Sequence, residues 1–214
     1  MARSERLPQL SLFEASESVL VDDESGSIAY TPQFVAGPVA QRWFAELRET
    51  VPWKAERRRM YDRDVDVPRL TAHYHLDPDD PAPPAAIREA AGLVVATIGV
   101  AFNSVGLNFY RDGRDSVAPH NDHLNVLVEG FPIALLSLGS ARRMTIRSKE
   151  PPRRILHLDL EPGSLLMMSY ATQLHYTHGV PKTNEPVGPR ISLAFRVKPA
   201  RDEADQDGGE TYYR

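Results

Sequence analysis

Three times the chain sets a histidine two residues before an aspartate: His75-Leu76-Asp77, His120-Asn121-Asp122 and His157-Leu158-Asp159. Residues two apart on a strand point the same way, so each pair offers two metal-ligating side chains to one face. Their surroundings separate them. His157 and Asp159 alternate with Leu156, Leu158 and Leu160, the pattern of a strand that turns its polar face to water. His75 and Asp77 run into Pro78-Asp79-Asp80-Pro81, which reads as a turn. His120 and Asp122 follow a stretch that places Asn108 and Tyr110 on one face, and a third imidazole, His178, lies far enough downstream for several antiparallel strands to intervene. Two histidines and one carboxylate make the facial triad of non-haem Fe(II) oxygenases, whose open positions serve co-substrate and oxygen. His123 and His175 adjoin this set, and by spacing alone either could replace one of its members.

A second constellation follows the third histidine. In the run from Arg190 to Val197, Ile191, Leu193, Phe195 and Val197 share one face, while Arg190, Ser192, Ala194 and Arg196 share the other. A solvent-facing strand shows that pattern too, but arginine binds carboxylates with two parallel hydrogen bonds, and two guanidiniums so placed suit a dicarboxylate co-substrate. The absence of cysteine excludes disulfides, thiolate zinc sites, iron–sulfur clusters and a cysteine nucleophile. Any metal is therefore held by His, Asp or Glu.

Positioning such groups takes a framework, and the pattern supplies one. From Phe102 onward apolar residues recur with period two in short runs: 102–110, 133–138, 144–147, 155–160, 165–169 and 191–197. Turn chemistry lies between them at Arg111-Asp112-Gly113, Leu138-Gly139-Ser140 and Glu161-Pro162-Gly163-Ser164. Many short strands in about a hundred residues predict an antiparallel sandwich or barrel. Upstream, Ile87, Ala91, Val94, Val95 and Ile98 form a helical stripe over 85–100, and a shorter helix over 38–50 carries Trp43 as its apolar anchor. The prolines at 78, 81, 83 and 84 mark a loop or a boundary between lobes. The 214 residues are 42% hydrophobic and 25% charged, which predicts one globular unit. The longest apolar run, 90–102, is too short to span a bilayer, so no membrane partner and a cytoplasmic location are expected. With 25 Lys and Arg against 29 Asp and Glu the net charge is −4, so contact with nucleic acid requires a local basic patch.

Taken together, Asn108-Phe109-Tyr110, His120-Asn121-Asp122, Ser137-Leu138-Gly139, Gly163-Ser164-Leu165-Leu166-Met167-Met168, His178 and the run from Arg190 to Arg196 resemble the AlkB family of Fe(II)/2-oxoglutarate dioxygenases. The resemblance covers 102–199 well and 31–90 loosely. It implies a mainly β fold with supporting helices: a double-stranded β-helix, or jelly-roll, core beneath an N-terminal lid lobe. It further implies Fe(II) on His120, Asp122 and His178, and 2-oxoglutarate held by Asn108, Tyr110, Arg190 and Arg196, with molecular oxygen as the second co-substrate. The implied division is an N-terminal arm over 1–30, a lid and substrate-recognition lobe over 31–84, the dioxygenase core over 85–200 and an acidic mobile tail over 201–214. Two positions depart from the family. Leu124 stands where repair members carry an acidic residue that reads the damaged base, and Ser192 replaces a common Asn, which leaves Ser192 with a shorter or water-mediated contact to the co-substrate.

On the substrate side, Arg57-Arg58-Arg59, Arg63 and Arg69 interleave with Trp53, Tyr61 and Tyr74, the composition of a lid that grips phosphates and stacks an extruded base, or of a plain solvated face. Arg142, Arg143, Arg147, Lys149, Arg153 and Arg154 form a second basic concentration. Of these residues, Arg69, Tyr74, Arg143 and Arg147 are the substrate candidates. The expected function is oxidative removal of N-alkyl groups from bases of DNA or RNA by a monomeric enzyme, with aldehyde, succinate and carbon dioxide as products. Its rivals are the same chemistry on a protein or small molecule, and a catalytically silent binding barrel.

Overall fold

The structure is a computed structural model that describes residues 17–60 and 63–200. Tyr61, the side chains of Arg58, Arg59 and Arg63, the first half of the expected arm and the acidic tail lie outside the described residues. The described chain opens with a hairpin of β1 (Ser18–Asp23) and β2 (Gly26–Thr31), then helix α1 (Gly37–Thr50) and a second hairpin of β3 (Lys54–Met60) and β4 (Arg63–His75). Helix α2 (Ala85–Ile98) leads into β5 (Ser104–Tyr110), β6 (Val117–His120), β7 (Ile133–Gly139), β8 (Arg142–Ser148), β9 (Ile155–Leu160) and β10 (Leu165–Met168). A short helix α3 (Tyr170–His175), β11 (Tyr176–Val180) and β12 (Arg190–Arg196) complete it.

Strands β5 to β12 are shared between two antiparallel sheets. The larger runs β1-β2-β10-β7-β12-β5-β4-β3, the smaller β6-β11-β8-β9. That is the expected double-stranded β-helix, widened at one edge by β1 and β2 and at the other by β4 and β3. Two apolar clusters hold it. One lies between the sheets and includes Ile133, Met144, Ile146, Leu160, Leu166 and Tyr176. The other seats α1 and α2 on the outer face of the large sheet, with Trp43, Leu47, Ile87 and Val94 against Leu107, Leu138, Leu193 and Phe195. Each fully buried Leu, Ile or Phe is worth about 1.5–3 kcal/mol over exposure. Helix α2 stops where Gly99 turns left-handed at φ 74° and donates its N–H to the Val95 carbonyl, as a glycine C-cap does.

Two expectations change. Over its described residues, the segment expected to be a partly mobile N-terminal arm contributes β1 and β2, and β2 pairs in register with β10. Its charges lie on edge-strand and turn positions, which masked the alternation of Ile28 and Tyr30, both buried. Nor is 31–84 all lid: α1 belongs to the core, and β4 continues the large sheet beside β5.

Candidate metal centre and active site

In the smaller sheet β6 and β11 pair with His178 opposite His120, and the two ring centroids lie 4.5 Å apart. Asp122 follows two residues beyond the end of β6. One ligand atom from each of His120, Asp122 and His178 falls within 4.8 Å of the other two, a spacing that a single metal ion spans. The rival pairs do not converge. His157 and Asp159 face water on β9, where Asp159 receives Arg143, and the His73 and His75 rings sit edge to face on β4.

Electrostatics prepares all three groups. The His120 Nδ1–H donates to the Ala118 carbonyl at 2.9 Å, which leaves Nε2 with the lone pair a metal needs. Burial pushes the His120 imidazolium below its ordinary range, and burial together with the His120 neighbour takes His178 down to about 3. Both rings are neutral ligands at neutral pH. Burial alone would raise Asp122, but the Arg196 guanidinium, whose Nε donates to Oδ2 at 2.7 Å, holds it at about 2. The carboxylate is therefore charged. Its own backbone N–H donates to Gln173 Oε1 at 2.9 Å, and Lys149 Nζ donates to the Gln173 carbonyl at 2.8 Å.

Beside the triad, β5, β12 and β7 present a polar wall inside an otherwise apolar barrel. Ser192 stands opposite Asn108 on one side and Ser137 on the other, and Arg190 stands opposite Tyr110. Arg190 is fully buried; its Nη2 donates to Ser137 Oγ at 2.8 Å, its charge lies 5.2 Å from the Tyr110 ring, and its Nε meets no hydrogen-bond partner among the described residues. A buried guanidinium with an orphaned N–H fits a carboxylate oxygen. Arg196 passes over Gly106, where a Cβ would stand 3.3 Å from Nη1. The donor set of two imidazoles and one carboxylate suits Fe(II), and the wall suits a keto-dicarboxylate.

The family model described as the 2OG-Fe(II) oxygenase superfamily matches residues 27–196. The mouse alpha-ketoglutarate-dependent dioxygenase alkB homolog 3 is 31% identical over 219 residues, covering 89% of this chain and 76% of its own length. The chain belongs to the AlkB-like 2OG-Fe(II) oxygenases. Another AlkB-like relative, the cattle DNA oxidative demethylase ALKBH2, is 38% identical over 117 residues, 51% of this chain; the match spans 41% of that protein. A solved structure of OsALKBH1 superposes with a TM-score of 0.57 over 84% of this chain and all of its own, at 14% identity, and shares the fold.

Not every residue expected at the site of this AlkB-like oxygenase reaches it. Tyr74 does not: it stands opposite Val105 and packs into the cluster under the helices, on the face of β4 turned away from the metal centre. Strand parity decides this, since Thr71 and Asn108 pair on the other face. Arg143 is also drawn elsewhere, donating to both Asp159 oxygens on the exposed side of β8 and β9. Arg69 is buried; its Nε donates to Asn108 Oδ1 at 2.6 Å, so it braces the polar wall. Arg147 borders a cavity of about 400 Å³ that reaches His120. Gln173 was missed by sequence reasoning, and Ser137 stood in a motif without a role assigned to it. Neither belongs to a ligand-like spacing, and Gln173 sits in a six-residue helix too short to show a period.

Proposed function

We propose that this protein removes N-alkyl groups oxidatively from bases of DNA or RNA. The observation that carries the reading is that His120 belongs both to the triad and to the wall of the 400 Å³ cavity, so a base bound there lies beside a residue of the metal centre. Pro68, Val117, Pro119 and Pro181 give that cavity an apolar lining, while Arg147 and Lys182 bring cations for phosphate. The names of the AlkB-like relatives support the nucleic-acid substrate.

In this reading His120, Asp122 and His178 hold Fe(II), which with 2-oxoglutarate and oxygen supplies the oxidising power to hydroxylate the alkyl carbon. Arg190, with Tyr110, Asn108 and Ser192, binds and orients the keto acid. Arg196 keeps Asp122 ionised and faces the same pocket. Gln173 fixes the backbone of Asp122, and the apolar clusters exclude water.

The test is succinate and formaldehyde release by the Fe(II)-loaded protein with methylated DNA, methylated RNA and keto acid alone. Dealkylation of an oligonucleotide, lost in His120→Ala, Asp122→Ala and His178→Ala and kept in His157→Ala, is the expected outcome. Affinity for the oligonucleotide should fall with salt at a log–log slope of about −0.7 to −0.9 per phosphate contact, and Arg147→Ala with Lys182→Ala should make it shallower. Succinate formation indifferent to every oligonucleotide would replace this substrate with a protein or a small molecule.

A further inference from the structure

A second buried guanidinium lies against the ring that carries Arg190. Arg142, the first residue of β8, is 3% exposed and sits 5.6 Å from the Tyr110 ring centroid. Its nitrogens donate to three backbone carbonyls: Nη1 to Asp112 at 2.9 Å, and Nη2 to Asp115 at 2.9 Å and Pro181 at 2.8 Å. The first two belong to the turn between β5 and β6, which joins Tyr110 to His120. The third belongs to the segment between β11 and β12, which joins His178 to Arg190. The nearby carboxylates are engaged elsewhere, Asp115 by Arg111 and Asp112 by Arg114. Burying a charge on neutral carbonyls alone is costly unless the fork geometry is used, and three carbonyls from two connections use it.

We propose that Arg142 is a positioning residue of the keto-acid pocket, fastening the two connections together and seating the Tyr110 ring against Arg190, so that ring and guanidinium together fix one end of the pocket. The inference rests on the keto-acid half of the function proposed above and is independent of the nucleic-acid half. A lysine at 142 keeps the charge but offers one nitrogen in place of a planar fork, so it cannot hold three carbonyls arranged for a guanidinium. Position and charge are thereby separated.

The experiment is calorimetric titration of the full-length, Mn(II)-loaded protein with 2-oxoglutarate and with 2-oxoadipate, which is longer by one methylene. Arg142→Lys and Arg142→Gln should each weaken 2-oxoglutarate about tenfold, within the range of one desolvated cation–π contact, and narrow its preference over 2-oxoadipate several-fold. A merely structural role lowers the melting temperature or the binding stoichiometry but leaves that preference ratio intact. Wild-type affinity and wild-type ratio in both variants overturn the inference. Should neither variant fold, hydrogen exchange of the wild type decides: 2-oxoglutarate should slow the amides of 111–116 and 181–183 together, and unchanged exchange there while the keto acid binds overturns it. Wild-type protein that binds no 2-oxoglutarate removes this inference and the keto-acid assignment together, whereas intact binding with altered selectivity and no oligonucleotide turnover removes only the substrate.

Discussion

Replacing Arg190 by Met should make the ligand-free protein more stable and the keto-acid-bound protein less so. An uncompensated buried charge costs on the order of 3–5 kcal/mol. Here the Ser137 hydroxyl and the Tyr110 ring offset part of that cost, while the unpartnered Nε adds to it. An isosteric apolar side chain removes both sides of the account, for a net gain of roughly 1–2 kcal/mol, which in a chain of this length raises the melting temperature by about 2–4 °C per kcal/mol. Against this, losing a bidentate partner to a carboxylate in a closed site costs about 3 kcal/mol, or roughly 150-fold in 2-oxoglutarate affinity. At a keto-acid concentration of about 100 wild-type Kd, the wild type gains about 2.7 kcal/mol from ligand and the variant only about 0.3. The order of the two melting temperatures should therefore invert as 2-oxoglutarate is added to the Mn(II)-loaded proteins. Thermal melts followed by circular dichroism across a keto-acid series measure this. A variant less stable than wild type without ligand, yet shifted as strongly as wild type by 2-oxoglutarate, would refute both the cost assigned to burying the Arg190 charge and its role in binding the keto acid.

Gln173→Leu strips the Asp122 N–H of its acceptor, so it should lower stability by about 1–3 kcal/mol and Mn(II) affinity by about 10- to 100-fold, as loss of an outer-shell partner does; unchanged Mn(II) affinity by calorimetry would refute the positioning role. Glu89 on α2 accepts from Arg42 and from Trp43 Nε1 on α1, and these bonds, with Arg42 foremost, take its carboxyl from its ordinary 4.5 down to about 2. A carboxyl lowered by folding stabilises above its unfolded pKa, and that stability is lost as pH falls through the folded one. The melting-temperature gap between wild type and Glu89→Gln should thus be widest at neutral pH and close between pH 4.5 and about 2; a gap independent of pH would contradict the pairing.

The core was legible because one period governs it. All six runs of alternating residues downstream of Phe102 became strands, and the helical stripe ended within two residues of its predicted end, at Ile98. β6 and β11 escaped notice although they carry His120 and His178. Val117–His120 holds only four residues, with a proline among them, and Tyr176–Val180 mixes Thr, His and Gly with apolar residues. Their identity as strands comes from pairing with each other and with β8, a long-range fact that no local window contains. The same reason explains Tyr74. An aromatic beside histidines reads as a stacking platform, but which face it takes depends on register against β5, and register assigns it to the helices. Arg190 and Arg196 were legible because parity within one strand suffices to put them together.

The guanidiniums around the pocket explain why the site is assembled from both sheets. Arg196 is matched by Asp122, but Arg69, Arg142 and Arg190 each donate to neutral oxygens, of Asn108 and Ser116, of three backbone carbonyls, and of Ser137. In a protein whose net charge is −4, concentrating cations inside the barrel creates a local field opposite in sign to the whole. Such a field favours a dianion there more strongly than a monoanion, since each carboxylate is stabilised by a cation already desolvated. Placing the cations on β4, β8 and β12 spreads their mutual repulsion over three strands, whereas one strand carrying all of them would set like charges on one face within a single turn of the pleat. The keto acid, in this account, completes a charge balance that the polypeptide alone leaves open, and folding tolerates the imbalance because the apolar clusters on either side of the large sheet supply the stability that the pocket withholds.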